Sequence, residues 1–403
     1  MNDALPDDLP VDLLPAISSF LPELRDIRRD LHAHPELSFE ETRTTAVVTR
    51  RLSAAGIPWR PIPGCTGAIA DLGAEQPAYR IALRADIDAL PVRERTGLDW
   101  SSTTPDVCHA CGHDVHTAAV LGAGLVLHSL EDRLRERGIG VRLLFQPAEE
   151  VIPGGAHRLI AAHAVEGVDA VFAIHCDPSL DVGQVGLREG PLTAACDSIR
   201  VELTGRGGHT SRPHLTEDLT FALAKVVTEV PAALSRRLDP RTGAALVWGE
   251  VHAGKASNVI PSSGYAAGTL RILDASVWEE VGPLLHEIVH GVVAPYAVSV
   301  RLDRERGVPP VVNGISAIEV LRRATVGMGM LAVPTAQSLG GEDFSWYLSR
   351  VPGAMARLGT RTPGGRSYDL HQGDLIVDEE SLHHAVALLS GVVFAGRVKP
   401  GED

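Results

Sequence analysis

The stretch CHACGHDVH, Cys108 to His116, gathers two cysteines, three histidines and an aspartate around one glycine. Thiolate, imidazole and carboxylate are the donors that hold Zn²⁺ and that can also hold Mn²⁺ or Co²⁺. A purely structural zinc site needs a second Cys/His pair at comparable spacing, and no other Cys-x-x-Cys occurs. A redox pair at Cys108 and Cys111 would leave His109, His113 and His116 without a role. Cys111 and His113 flank Gly112, so one tight turn can aim both side chains at one point. Further donors stand elsewhere in the chain: Asp86 and Asp88 in RADIDALP, Glu149 and Glu150 in FQPAEE, His175 in AIHCDP and His371 in YDLHQGD. Five or six donors are too many for one tetrahedral zinc. Two ions roughly 3.5–4 Å apart with a bridging ligand and a water use them better, and that is a hydrolytic arrangement.

These residues need elements to bring them together. YRIALRADIDALPV reads as a strand ending in a polar loop at Asp86 and Asp88. TAAVLGAGLVLHSLEDRLRERG has helical spacing and ends at Gly138. IGVRLLFQPAEE reads as a strand stopping at Pro147, and VDAVFAIHCDP as one stopping at Pro178. Strands alternating with helices imply an α/β fold with a mixed, mostly parallel sheet and helices on both faces. In such sheets ligands collect at the carboxyl ends of strands, where the aspartates, glutamates and His175 all fall. From DSIRVELTGRGGHTSRPH onward the order becomes β-α-β-β-α-β, that of a ferredoxin-like sandwich. The first pattern resumes past GVPPVVN. The expectation is a metal-binding domain in two parts, 1–190 and 309–403, with an inserted α+β domain at 191–308.

Bulk properties remove several classes of function. The formal net charge of −14 and the lack of a Lys/Arg block exclude a nucleic-acid or anionic-membrane partner as the expectation. No apolar run approaches the ~20 residues of a membrane span. MNDALPDDLPVDLLPAISSF is acidic and broken by Pro6, Pro10 and Pro15, unlike a secretory leader. Five cysteines in a chain of this length do not form a disulfide scaffold, and the expected location is cytoplasmic.

LHAHPELSFEE, LRADIDALP, CHACGHDVHTA, FQPAEE, IHCDP, GRGGHTSRPH, SNVIP, GTLR, GGEDFSWYL and LHQGD follow one another in an order that resembles one metallopeptidase family. It is the dinuclear amidohydrolase family of hippurate hydrolases, N-acyl-L-amino acid amidohydrolases and auxin-conjugate hydrolases, and the resemblance runs from residue 25 to 390. It implies a di-metal exopeptidase-like fold whose inserted domain is a lid and a dimerisation surface. The implied metal ligands are Cys111, His113, Glu150, His175 and His371, holding two divalent ions per subunit, Zn²⁺ or Mn²⁺, with Co²⁺ or Ni²⁺ also admissible. Glu149 falls at the general acid/base and Asp88 at the aspartate that supports the metal centre, with Asp86 two residues before it. His209, Asn258 and Arg271 match lid residues that face the reacting group and the substrate carboxylate.

The implied reaction is hydrolysis of an N-acyl amino acid, a small-molecule substrate, by a homodimer. Relatives can place the equivalent of His209 in the partner's active site. A dipeptidase or carboxypeptidase with the same metal chemistry is the rival reading. A binding protein without turnover would need a missing ligand, and none is missing. Three departures stand out: Pro153 after the paired glutamates, Cys108, and the lack of a proline after His371. His32, His34 and His116 read as capping or packing residues.

Overall fold

The computed structural model describes residues 9–399. Part of the N-terminal stretch read above for a leader, Pro6 included, lies outside those residues. Among the described residues no helix is long and apolar enough to cross a membrane. The chain forms two compact units. The first is made of the chain up to Leu192, Val312–Ala336 and the chain from Asp343 onward, and the second of Thr193–Val311 with Gln337–Glu342.

An eight-stranded sheet organises the first unit, in the order Trp59–Pro61, Ala68–Gly73, Ile139–Gln146, Tyr79–Asp86, Ala170–Asp181, Gly353–Arg361, Gln184–Leu187 and Leu331–Pro334. Parallel pairing joins Tyr79–Asp86 to both its neighbours, Ala170–Asp181 to Gly353–Arg361, and the last two strands to each other. The remaining pairs are antiparallel, so the sheet is mixed. Ile139–Gln146 is buried at every residue and Gly353–Arg361 at all but its last, which requires cover on both faces. Leu13–Ala33, His113–Ser129, Ile315–Gly327 and Glu380–Phe394 supply helical cover, sharing one core with the strands through Leu24, Val120, Leu321 and Leu388.

Two details differ from the sequence pattern. His113–Ser129 starts a turn earlier than the apolar run, at His113, because Gly112 takes φ +87° as its N-cap. A Cβ there would also lie 2.8 Å from Cys176 Sγ, so a side chain is excluded twice. The strand expected to stop at Pro178 continues to Asp181. Its partner Gly353–Arg361 shifts register between Gly359 and Arg361, opposite the proline, so no ladder donor is required of Pro178. His175 therefore sits inside a strand, paired with Arg357, and not at its end.

In the second unit the strand order is Ala245–Ala253, Ser263–Ile272, Ala195–Thr204, Ser299–Val308, all antiparallel. With helices Leu219–Arg237 and Ala275–Val293 this is the ferredoxin-like order. Ile199, Val201 and Leu203 are buried while Ser198 and Thr204 are exposed, the alternation of a sheet covered on one face. Asp218 and Asp274 cap the two helices by accepting from Phe221 N and from Ser276 and Val277 N. Gln337–Glu342, expected within 309–403 as part of the metal-binding domain, packs with this second unit instead. Thr193 bridges Ser338, Arg271 donates to the Leu339 carbonyl, and Gly341 lies against Val308 and Cys196.

Candidate metal centre

The turn at Gly112 puts Cys111 and His113 on either side of the helix N-terminus, and the sheet brings the other donors to them. Cys111 Sγ lies 3.5 Å from His175 Nε2. Glu150 Oε1 lies 3.3 Å from His371 Nε2 and 3.8 Å from His113 Nε2. Three donor triads share these residues, each with its ligand atoms within 4.8 Å: Cys111–His113–His175, Cys111–Glu150–His371 and His113–Glu149–Glu150. All five expected ligands and Glu149 thus converge in the first unit.

Hydrogen bonds fix which imidazole nitrogen each histidine offers. His175 Nδ1 is 2.8 Å from the Cys176 carbonyl, an acceptor only, so it carries the hydrogen and leaves Nε2 as the donor facing Cys111. His113 Nδ1 is 3.0 Å from the Asp88 carbonyl and 3.2 Å from Asp88 Oδ1, which leaves its Nε2. That Nε2 and Glu150 Oε1 are buried polar atoms without a hydrogen-bond partner among the described residues. Orphaned buried atoms of this kind cost free energy unless something else satisfies them, and both point into the donor cluster. Charge supports the same fit. Cys111 and the Glu150 carboxylate, 3.3 Å from Nε2, lift His371 to about 10. Burial opposes charge on His113, yet Asp86 and Cys111 hold its pKa well above the usual imidazole range. Burial, with Arg357 nearby, keeps His175 well below it. A pocket whose anions draw positive charge onto two of its histidines suits divalent cations.

The two aspartates that the sequence left unresolved have separate tasks. Asp88, fully buried, receives His113 Nδ1 on Oδ1, and on Oδ2 receives Ser38 Oγ at 2.7 Å and Glu150 N at 3.0 Å. It therefore orients one candidate ligand and the backbone of another. Asp86 accepts His116 Nδ1 at 2.6 Å, and His116 Nε2 in turn accepts Cys176 N at 2.9 Å. Both nitrogens of His116 are spent, which makes it a buried strut between the ligand helix and the His175 strand.

Sequence reasoning gave Glu41 and Asp343 no role, though both lie in quoted motifs. Glu41, fully buried, accepts Phe39 N at 2.9 Å and Ala148 N at 2.8 Å, tying the LSFEE loop to the loop carrying Glu149 and Glu150. Asp343 accepts Arg84 at 2.7 Å, Gln146 Nε2 at 2.8 Å and Ala156 N at 3.0 Å, so it clamps both ends of that same loop. Gly154 must be glycine, since with φ +83° a Cβ would lie 2.2 Å from Asp343 Oδ2. Each stands beside a second acidic residue, Glu40 or Glu342, and nothing in the local sequence sets it apart from that neighbour.

His209, Asn258 and Arg271 lie in the second unit. His209 pairs with Val259 in a two-stranded ribbon and Thr210 N donates to the Asn258 carbonyl, so the first two are neighbours. Arg271 sits at the far end of Ser263–Ile272, about 25 Å of strand away by its rise per residue. The unit does not bring Arg271 together with the other two.

A cluster of candidate metal ligands on an open α/β sheet is what this geometry defines. The model of peptidase family M20/M25/M40 matches residues 82–395, and the chain belongs to that family. It is a metal-dependent hydrolase. The N-acetyl-L-cysteine deacetylase of Bacillus subtilis (strain 168) is 37% identical over 366 residues, covering 91% of this chain and 86% of that protein. A longer protein of Rhodococcus jostii (strain RHA1), bearing the name of a glutamate–cysteine ligase 2-3, is 49% identical over 370 residues. The match covers 91% of this chain and 46% of that protein, so the chain spans under half of it. Among solved structures, the Bacillus subtilis YXEP protein, described as a dinuclear metal-binding peptidase from the M20 family, superposes with TM-score 0.81 at 32% identity, covering 94% of this chain and 99% of that one.

Proposed function

We propose that this protein hydrolyses the amide bond of N-acyl amino acids, releasing a carboxylic acid and a free amino acid. The observation that carries this reading is Glu149, a carboxylate beside His113 and Glu150 and beyond the five residues that would bind metal. The deacetylase similarity supports the same substrate class. Cys111, His113, Glu150, His175 and His371 would hold two divalent ions, Zn²⁺ or Mn²⁺, with Co²⁺ or Ni²⁺ as alternatives. Such a pair supplies a water acidified toward neutral pH and a polarised carbonyl.

The chain's own residues do the rest. Glu149 takes the proton of the attacking water and delivers it to the leaving nitrogen as the C–N bond breaks. His209 donates to the developing oxyanion, a contact typically worth roughly 3–4 kcal/mol. Arg271, with Asn258, holds the free carboxylate of the amino acid. The second unit acts as a lid and as the surface of a homodimer, for which its edge strand Ala245–Ala253, with Val247 and Val251 exposed, is suited. The separation of His209, in the two-stranded ribbon, from Arg271, at the far end of Ser263–Ile272, supports a site that draws these two residues from different subunits. A cytoplasmic location belongs to the same proposal, supported by five cysteines that are all free.

Because the family includes peptidases, dipeptidase or carboxypeptidase activity is the second reading. Turnover of N-acetyl, N-benzoyl and dipeptide substrates, with and without added Mn²⁺, Zn²⁺ or Co²⁺, tests both. Metal-dependent release of free amino acid from N-acyl substrates, well above dipeptide cleavage, is the expected result. Dipeptide cleavage alone would replace the first reading with the second.

A further inference from the structure

The loops that carry the candidate base also carry apolar side chains that the fold leaves in solvent. Val151 and Ile152 follow Glu150 directly and are 40% and 50% exposed. Phe39, in the neighbouring loop, is 43% exposed. Two buried carboxylates hold these loops side by side. Asp88 Oδ2 receives both Ser38 Oγ and Glu150 N, and Glu41 Oε1 receives both Phe39 N and Ala148 N. Phe39 is therefore fastened one residue from a contact of Asp88, beside the segment from Ala148 to Ile152.

Backbone conformation adds a second observation. Phe39 has φ +67° and Ala148 φ +54°, left-handed values that side chains bearing a Cβ rarely adopt. Each conformation is disfavoured for a residue bearing a Cβ and persists because the surrounding bonds impose it. Folding thus works against both hydration and backbone preference to leave an aromatic ring in solvent on the loop tied to that of Glu149 and Glu150. Glu40, also exposed, puts a negative charge on the same loop.

We infer that Phe39, Val151 and Ile152 form the seat for the acyl half of the substrate, and that this seat selects an uncharged apolar acyl group over acetyl and over a dicarboxylic acyl group. The inference rests on the N-acyl amino acid reading. The acyl substituent and the leaving nitrogen are both bonded to the carbonyl carbon under attack, so each half of the substrate comes within reach of the residues bordering Glu149 and Glu150. The amino-acid half carries a carboxylate, which neither apolar side chains nor Glu40 would receive.

The test uses the metal-loaded enzyme and one amino acid bearing acetyl, butyryl, hexanoyl or succinyl groups. Each buried methylene contributes up to about fourfold, so kcat/KM for hexanoyl should exceed that for acetyl by at least about tenfold. Succinyl should fall below butyryl, and Glu40→Gln should narrow that gap. Phe39→Asn, which keeps a residue tolerant of positive φ, and Ile152→Ser should each lower the hexanoyl-to-acetyl ratio severalfold. If Phe39→Asn does not fold, Ile152→Ser at its exposed site carries the test. A flat chain-length response, or a ratio unmoved in a folded variant, would overturn the acyl seat while leaving amidohydrolase activity standing. Cleavage of dipeptides with no N-acyl substrate turned over would remove the amidohydrolase reading, and the seat with it.

Discussion

Glu150 Oε1 stands 3.3 Å from His371 Nε2, joining a loop of the first chain segment to one near the C-terminus. The same oxygen faces His113. Replacing Glu150 by Gln removes the charge that both imidazoles share, and bound metal should be lost. Glu149→Gln should retain metal yet lose roughly 10²–10⁴-fold in kcat, since only the proton carrier is gone. Metal analysis beside turnover separates the two. Near-normal kcat in Glu149→Gln would assign the base elsewhere.

The cysteines of the Cys-x-x-Cys pair should behave differently. Cys111 faces His175, whereas among the described residues no candidate donor group includes Cys108. Metal content should fall in Cys111→Ala and stay near wild type in Cys108→Ala. Equal loss in both variants would revive a structural Cys-x-x-Cys site.

Arg84 is fully buried between Asp86 at 2.6 Å and Asp343 at 2.7 Å. Arg84→Met would leave two buried carboxylates without the cation they share. A loss of about 3–5 kcal/mol in denaturant unfolding is expected. A cost below about 1 kcal/mol would show that the carboxylates find other partners.

His32 lies between Asp114 at 3.0 Å and Glu94 at 3.1 Å. Burial works against its charge, but those carboxylates prevail and raise its pKa to about 9. The folded state thus keeps a proton that the unfolded chain releases near pH 6.5. The resulting stability is fully present below pH 6.5 and is lost as pH rises through about 9, on the order of 3 kcal/mol in all. Thermal unfolding between pH 6.5 and 9.5 should show this slope, and His32→Gln should flatten it. An unchanged slope in the variant would place the titration elsewhere.

Subunit complementation tests where His209 acts. His209→Ala and Glu149→Gln subunits, each inactive alone, should regain activity when mixed under exchange conditions, because one of the two sites in each mixed dimer is then intact. Exchange without recovered activity would confine His209 to its own chain.

Much of this was legible because donor types and motif order are one-dimensional. Cys111, His113, Glu150, His175 and His371 could be named before any strand was placed. Strand ends were less legible: Pro178 reads as a stop, and only its partner's register shift shows that it need not be one. The Asp86–His116 and Asp88–His113 pairings were out of reach, since both aspartates and both histidines are near neighbours in sequence and only the geometry of strand against helix sorts them. Asp343 was hidden for another reason. Its three partners come from three separate parts of the chain, and no local pattern reports such a convergence.

The excursion of Gln337–Glu342 has a consequence for anyone trimming this chain. Excising Thr193–Val311 with two cuts would strand those six residues, which depend on Thr193, Cys196, Arg271 and Val308 for their contacts. The next residue is Asp343, whose carboxylate clamps the loop of Glu149 and Glu150. A fragment holding the first unit alone must therefore replace Gln337–Glu342 with a linker that returns Asp343 to Arg84. Without that splice, removing the second unit would unsettle the loop of the candidate base as well as removing His209 and Arg271.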